Sequence, residues 1–117
     1  GHKNAIKNYL TLEDNILLME LNDKEELNKY IEILNLRKYM DVIAANLSFG
    51  QQKKLALLRI FLNNSDLIIL DEPFVGLDIE TQDILSEFLN NQLKMNKSII
   101  YTSHISCQIE SKILKIN

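Results

Sequence analysis

Two adjacent carboxylates, Asp71 and Glu72, close a short apolar run, Leu67-Ile68-Ile69-Leu70, and Pro73 follows at once. A run of this length suits a strand buried on both faces of a parallel sheet, and in open α/β sheets ligands gather at the carboxyl ends of strands. Neighbouring side chains on a strand point to opposite faces, which allows two jobs: one carboxylate holds Mg²⁺ through water while the other orients an attacking water. The plainer alternative is that Asp-Glu-Pro only ends a strand with polar turn residues. A second group is Leu47-Ser48-Phe49-Gly50-Gln51, just ahead of a helical pattern. Helix amino termini offer unpaired N–H groups and a partial positive charge, Gly50 permits close backbone approach, and the Ser48 hydroxyl can hydrogen-bond a phosphate oxygen. Equally, Ser48 and Gln51 can serve only as a helix cap worth about 1 kcal/mol. His104 follows a second β-rich run, Ser98 to Thr102, whose carboxyl end should neighbour that of the first. A lone histidine is more often structural; its place beside the Asp71-Glu72 strand end is what argues for chemistry.

The elements that must position these residues are legible in outline. Thr11 and Asp14, Asp23 and Glu26, and Ser48 and Gln51 each have the spacing of a capping box. Leu12, Ile16 and Met19 follow the first at about one helical turn. Leu27, Tyr30, Ile31 and Leu34 follow the second at i, i+3, i+4 and i+7, with Asn22-Asp23 as the turn between two helices. Leu36 to Asn46 reads as a linking stretch. The third box leads into Lys53 to Leu62, with Leu55, Leu58 and Leu62 on one side. Beyond it the period changes: strand Leu67 to Leu70, a helix over Ile79 to Met95, and strand Ser98 to Thr102 make a βαβ unit, a connection that is almost always right-handed. An alternation over Lys112 to Ile116 predicts an added edge strand.

Composition narrows the function. The sequence is 46% hydrophobic and 25% charged, and its 117 residues allow one modest core but not a second independent domain. No apolar run exceeds four residues, whereas a membrane-spanning helix needs about 20. Thirteen basic against sixteen acidic residues leave a net charge of −3, the wrong sign for affinity built on nucleic-acid phosphates, so no nucleic-acid partner is expected. Cys107 is the single cysteine; it can form neither a disulfide framework nor a thiolate cluster, and with no signal peptide a reducing cytoplasmic setting is expected. Cys107 reads as a small apolar filler.

In their order and spacing these pieces resemble the nucleotide-binding subunit of ABC transporters. LSFGQQKKLALLRIF looks like the family's signature motif, LIILDEP like its Walker B strand, VGLD at Val75 to Asp78 like its D-loop, and YTSH at Tyr101 to His104 like its switch histidine. The resemblance implies a partial P-loop NTPase fold of the α/β class, a helical subdomain followed by a βαβ unit of a mainly parallel sheet. It makes residues 1–117 the carboxy-terminal part of one ATPase domain, with about 4–46 as the helical subdomain and about 47–117 as the core. It also implies ATP and Mg²⁺. Asp71 would support Mg²⁺, Glu72 would be the general base, and His104 would contact the γ-phosphate. Ser48, Phe49, Gly50, Gln51 and Asp78 would form the nucleotide-contacting set. Of these, Ser48, Gly50 and Gln51 would touch ATP bound to the opposite subunit, and Asp78 would lie at the interface. The implied partners are a second ATP-binding subunit in a head-to-tail dimer and integral membrane permease subunits, at the cytoplasmic face of the inner membrane.

A narrower resemblance is carried by GHKNAIKNYLTLEDNI, by Gln51-Gln52 followed by Lys53-Lys54, and by the short tail after His104. It is to the ATP-binding subunits that export haem in cytochrome c maturation. Two departures stand out. No G-x-x-x-x-G-K-[ST] loop occurs, and Gly1, Gly50 and Gly76 leave no room for one. The chain thus looks like the carboxy-terminal portion of a subunit, with His2 near the place of the family's Q-loop glutamine. Phe49 stands where many members have Gly, and it leaves Ser48 and Gly50 in place. The competing expectations are a non-transport ATPase of the same class and a non-catalytic remnant or binding module that keeps only the signature half-site. Lys53-Lys54 reads as a solvated helix face, and Tyr9, Tyr30 and Tyr39 as packing residues.

Overall fold

The computed structural model describes residues 6–102 and 113–115. His2, His104 and Cys107, singled out above, lie outside the described residues. The chain forms two compact units, residues 1–63 and 64–117.

The first unit is helical, and its helices start where local side-chain chemistry starts them. Helix α1 is Leu12–Leu18, with the Thr11 side chain accepting from the Asp14 N–H at 3.1 Å. Helix α2 is Lys24–Ile33, and Asp23 accepts from the Glu26 N–H at 3.1 Å. Helix α3 is Phe49–Phe61, four residues longer at its start than the apolar period alone suggests, because the helix begins directly after its Ser48 cap. Leu12, Ile16, Leu27, Ile31, Leu55, Leu57 and Leu58 are buried, and the Tyr30 and Phe61 rings pack with centroids 5.0 Å apart.

The stretch Leu36 to Asn46 is more than a link. It holds two 3₁₀ turns, Arg37–Tyr39 and Ala44–Asn46, and buries Leu36 and Ala44 completely. Between them the backbone lies against residues 10–13: Leu12 N–H donates to Val42 O at 2.9 Å, Glu13 N–H to Met40 O at 3.1 Å, and Thr11 bridges Ile43 in antiparallel sense. Such pieces are too short to imprint a period on the sequence.

Asn15 secures this arrangement. It is 4% exposed, its Oδ1 accepts from Lys7 N–H at 2.7 Å, and its Nδ2 donates to the carbonyls of Lys7 and Thr11 at 3.1 and 2.9 Å. An amide on the same face as Leu12 and Ile16 is tolerated only because the backbone of residues 7–11 satisfies it.

In the second unit, strands β1 (Leu67–Asp71), β2 (Ser98–Thr102) and β3 (Ile113–Lys115) form a parallel sheet in that order. Helix α4, Ile79–Lys94, connects β1 to β2 and packs against β2. The βαβ unit and the added edge strand are therefore present. Register pairs Ile68 with Ile99 and Leu70 with Tyr101 on one face, and all four are buried. The expectation that β1 is buried on both faces fails. Leu67 and Ile69 point to the other face, where Ile69 is 69% exposed. A continuous apolar run specifies that both faces are apolar, but among the described residues packing covers the side to which α4 returns and leaves Ile69 exposed.

This asymmetry gives a direct test of register. Ile68→Ala should cost about 2–4 kcal/mol, while Ile69→Thr should stay within about 0.5 kcal/mol of the parent in urea denaturation. Similar losses at both positions would contradict the one-sided burial of β1.

Candidate functional site

The start of α3 carries a complete reciprocal cap. Ser48 Oγ accepts from Gln51 N–H at 3.1 Å, and Gln51 Oε1 accepts from Ser48 N–H at 2.9 Å. The bland reading of this pair is thus satisfied, yet its stereochemistry leaves donors over. Both capping bonds use the side-chain oxygens as acceptors, so the Ser48 hydroxyl proton and the Gln51 Nε2 hydrogens are not spent in the cap. Ser48 is exposed and Gly50 half-buried. The first-turn N–H groups, the helix dipole and these side-chain donors together suit an anion of phosphate type. Phe49 lies on the same turn, 61% exposed, with Lys53 Nζ 6.0 Å from its ring centroid.

The second group surrounds the carboxyl end of β1. Asp71 is the last strand residue and is exposed on the same open face as Ile69. Glu72 leaves the strand with φ 46°, in the left-handed region, and directly precedes Pro73. That backbone is costly for a residue with a Cβ and turns the second carboxylate out of the strand's alternation. Pro73, Phe74 and Leu77 are buried and pin the turn, in which Val75 N–H donates to Glu72 O and Leu77 N–H to Phe74 O, each at 3.3 Å. Gly76 takes φ 81°, a conformation glycine adopts without penalty. Asp78 then caps α4, accepting from Thr81 N–H at 2.8 Å.

Asp71, Glu72 and Asp78 are therefore brought to one strand end and the turn that follows it, and Ser48, Phe49, Gly50 and Gln51 to one helix turn. The two groups belong to different units. Sequence reasoning assigned no structural role to Asn15, Gln52 or Gln82. Asn15 was detectable as an amide on an apolar helix face. Gln52 and Gln82 are each the fourth residue after a cap, donating back to Ala44 O at 2.8 Å and to Leu77 O at 2.9 Å. As a donor set for a divalent cation, a single exposed carboxylate at a strand end fits Mg²⁺, which keeps several waters and takes one or two protein carboxylates beside substrate phosphates. Among the described residues no group of three His, Cys, Asp or Glu gathers as a self-sufficient metal cage.

Comparison with known proteins identifies the family. Residues 1–75 match the family described as ABC transporter. The chain belongs to that family. It is 32% identical over 111 residues to the cytochrome c biogenesis ATP-binding export protein CcmA of Gluconobacter oxydans, covering 95% of this chain and 53% of that protein. It is 32% identical over 120 residues to the CcmA of Pasteurella multocida, covering 98% and 55%. The chain thus spans about half the length of the curated relatives it matches. Among solved structures, an ATP-binding subunit of an ABC transporter superposes with TM-score 0.74 at 27% identity, over 86% of this chain and 45% of that one. The ATP-binding cassette MJ0796, in a post-hydrolysis dimer bound to ADP and Pi, superposes with TM-score 0.65 at 23% identity, over 90% and 50%. The α/β architecture expected from the motifs, part of the ABC ATPase form of the P-loop NTPase fold, is the one observed.

The strained backbone at Glu72 predicts an inverted response to glycine. Glu72→Gly should leave stability unchanged or raise it by up to about 1 kcal/mol, where glycine in an ordinary extended position would lower it. Denaturant unfolding of the two chains decides this, and a loss above that size would place Glu72 in unstrained backbone.

Proposed function

We propose that this chain supplies the signature and Walker B parts of an ATP-hydrolysing ABC transporter subunit, and that the transport it serves is haem export for cytochrome c biogenesis. The observation that carries the first statement is the Ser48 cap, whose two hydrogen bonds leave the hydroxyl proton and the Gln51 amide free to donate to phosphate. The two CcmA relatives, named as cytochrome c biogenesis export proteins, support the second.

In this reading Ser48, Gln51 and the first-turn N–H groups of α3 bind the γ-phosphate of ATP held by a second subunit, in a head-to-tail dimer. Gly50 admits the phosphate to the backbone, and the exposed Phe49 ring packs against the facing subunit. Asp71 would hold Mg²⁺. When bound, that ion offsets charge on the phosphate oxygens. Glu72 accepts the proton of the attacking water from a backbone that has left the strand's conformation. His104 contacts the γ-phosphate, and Asp78, fixed as the cap of α4, meets the partner at the dimer interface. The helical first part docks on permease subunits, which places the subunit peripherally at the cytoplasmic face of the inner membrane. No helix among the described residues is long and apolar enough to cross a membrane. Domain limits of about 4–46 for the helical subdomain and about 47–117 for the core are part of the same proposal.

These 117 residues contain no G-x-x-x-x-G-K-[ST] phosphate loop. Its backbone cradle and lysine supply much of Walker-type phosphate binding. The isolated 117 residues should accordingly show no steady ATPase and no micromolar Mg-ATP binding by calorimetry. Either one would show the loop to be dispensable.

Completion with the amino-terminal half of the Gluconobacter oxydans relative separates the readings. The chimera should hydrolyse ATP, and Glu72→Gln should lower turnover by roughly 10²–10⁴-fold while ATP-dependent dimerisation persists. In a strain lacking that relative, the chimera should restore c-type cytochromes and the Glu72→Gln form should not. Hydrolysis without restoration would refute haem export and leave the ATPase reading standing. A chimera that binds ATP but never turns it over would contradict the ATPase reading.

A further inference from the structure

The doubled glutamine of the signature segment has a second member whose role capping does not exhaust. Gln52, fourth residue of α3, turns its side chain back past the cap, and its Nε2 donates to Ala44 O at 2.8 Å. Ala44 is fully buried. Its carbonyl also accepts from Leu47 N–H at 3.1 Å, and its own N–H donates to Leu10 O at 2.8 Å. One residue on, Ala45 N–H donates to Asn8 O at 3.0 Å. The 44–46 turn is thus strapped to residues 8–10, and Asn15 in turn clamps residues 7–11 through both ends of its amide.

Gln52 is a side-chain tie that joins this strapped layer to the first turn of α3. Gln82 makes a similar bond at α4, but it reaches only Leu77, the residue before its own cap. Gln52 reaches eight residues back, onto a different element. If it were removed, Leu47 would still satisfy the Ala44 carbonyl, and the Ser48–Gln51 box would still start the helix. What would be lost is the side-chain bond from that first turn to the 44–46 layer.

We propose that Gln52 is a positioning residue for Ser48, which it aims at the bound phosphate by anchoring the first turn of α3 on Ala44. The inference rests on the reading of Ser48 as a phosphate donor. Gln52 itself touches neither nucleotide nor water in this scheme.

The test uses the completed chimera and three substitutions. Gln52→Glu keeps size but replaces the donor with an acceptor, Gln52→Met keeps length with no donor and stands in if the first fails to fold, and Gln52→Lys keeps a donor. A loosened donor geometry should lower kcat by roughly 10–100-fold in the Glu or Met form, with KM for Mg-ATP within about threefold of the parent, and Gln52→Lys should recover most of the loss. In a Ser48→Ala background the same substitutions should bring no further fall, because residues acting through one another are not additive. Hydrogen exchange at the Ser48 and Gln51 amides should accelerate by about tenfold or more in the Glu or Met form.

Unchanged kcat, or losses that add to those of Ser48→Ala, would overturn the inference while leaving the ATPase reading intact. If Ser48→Ala itself leaves turnover unchanged, Ser48 is not the phosphate donor and the reading beneath the inference fails. The exchange measurement is independent of hydrolysis, and unaltered Ser48 and Gln51 exchange would show that Gln52 does not hold the turn.

Discussion

The first turn of a helix cannot satisfy its own N–H groups, and the way α3 meets that constraint decides what the site can do. Ser48 and Gln51 close a reciprocal pair in which both side-chain oxygens act as acceptors. Had the hydroxyl donated instead, the turn would present lone pairs and repel an anion. With one lone pair of each oxygen committed to the backbone, the turn still offers donors: a hydroxyl proton, an amide NH₂ and the leading N–H groups. In the proposed reading the stabilising interaction and the functional one are the same arrangement, worth about 1 kcal/mol to the helix. It is polarised toward phosphate without a lysine or arginine in the turn.

The carboxylate end of the second unit follows a comparable logic with backbone rather than side-chain chemistry. Asp71 keeps the alternation of β1, and Glu72 breaks it by entering the left-handed region before Pro73. Two adjacent acids on a regular strand would simply face opposite ways. The break, pinned by buried Phe74 and Leu77, fixes a third direction and lets the chain descend to Asp78 and α4. Strain of this kind persists only where packing over-determines it, which is why the most buried part of the turn directly follows the strained residue.

Much of this was legible in the residues. The caps at Thr11, Asp23 and Ser48 could be read because capping is an i to i+3 event written in four consecutive positions. The βαβ unit and edge strand could be read because runs and periods are local too. What could not be read was non-local. Nothing in Leu36 to Asn46 announces that Val42 and Met40 will accept from Leu12 and Glu13, or that Ala44 will be held by Leu10 and Gln52. Nor does Leu67-Ile68-Ile69-Leu70 say which of its faces will be covered, since both are equally apolar. The four motifs could be placed by resemblance, whereas the positive φ of Glu72 and the donor direction of the Ser48 cap are visible only in the fold.

Whether the donor turn at Ser48 serves a nucleotide on the facing subunit can be read from heterodimers of completed subunits by counting retained ATP. One heterodimer carries Ser48→Asp and a phosphate-loop lysine substitution on the same subunit; the other carries one change on each. If Ser48 acts across the interface, the first disables both sites and retains no nucleotide, and the second keeps one site whole and retains one ATP. The reverse pattern, one ATP when the changes share a subunit and none when they are split, would contradict a role across the interface.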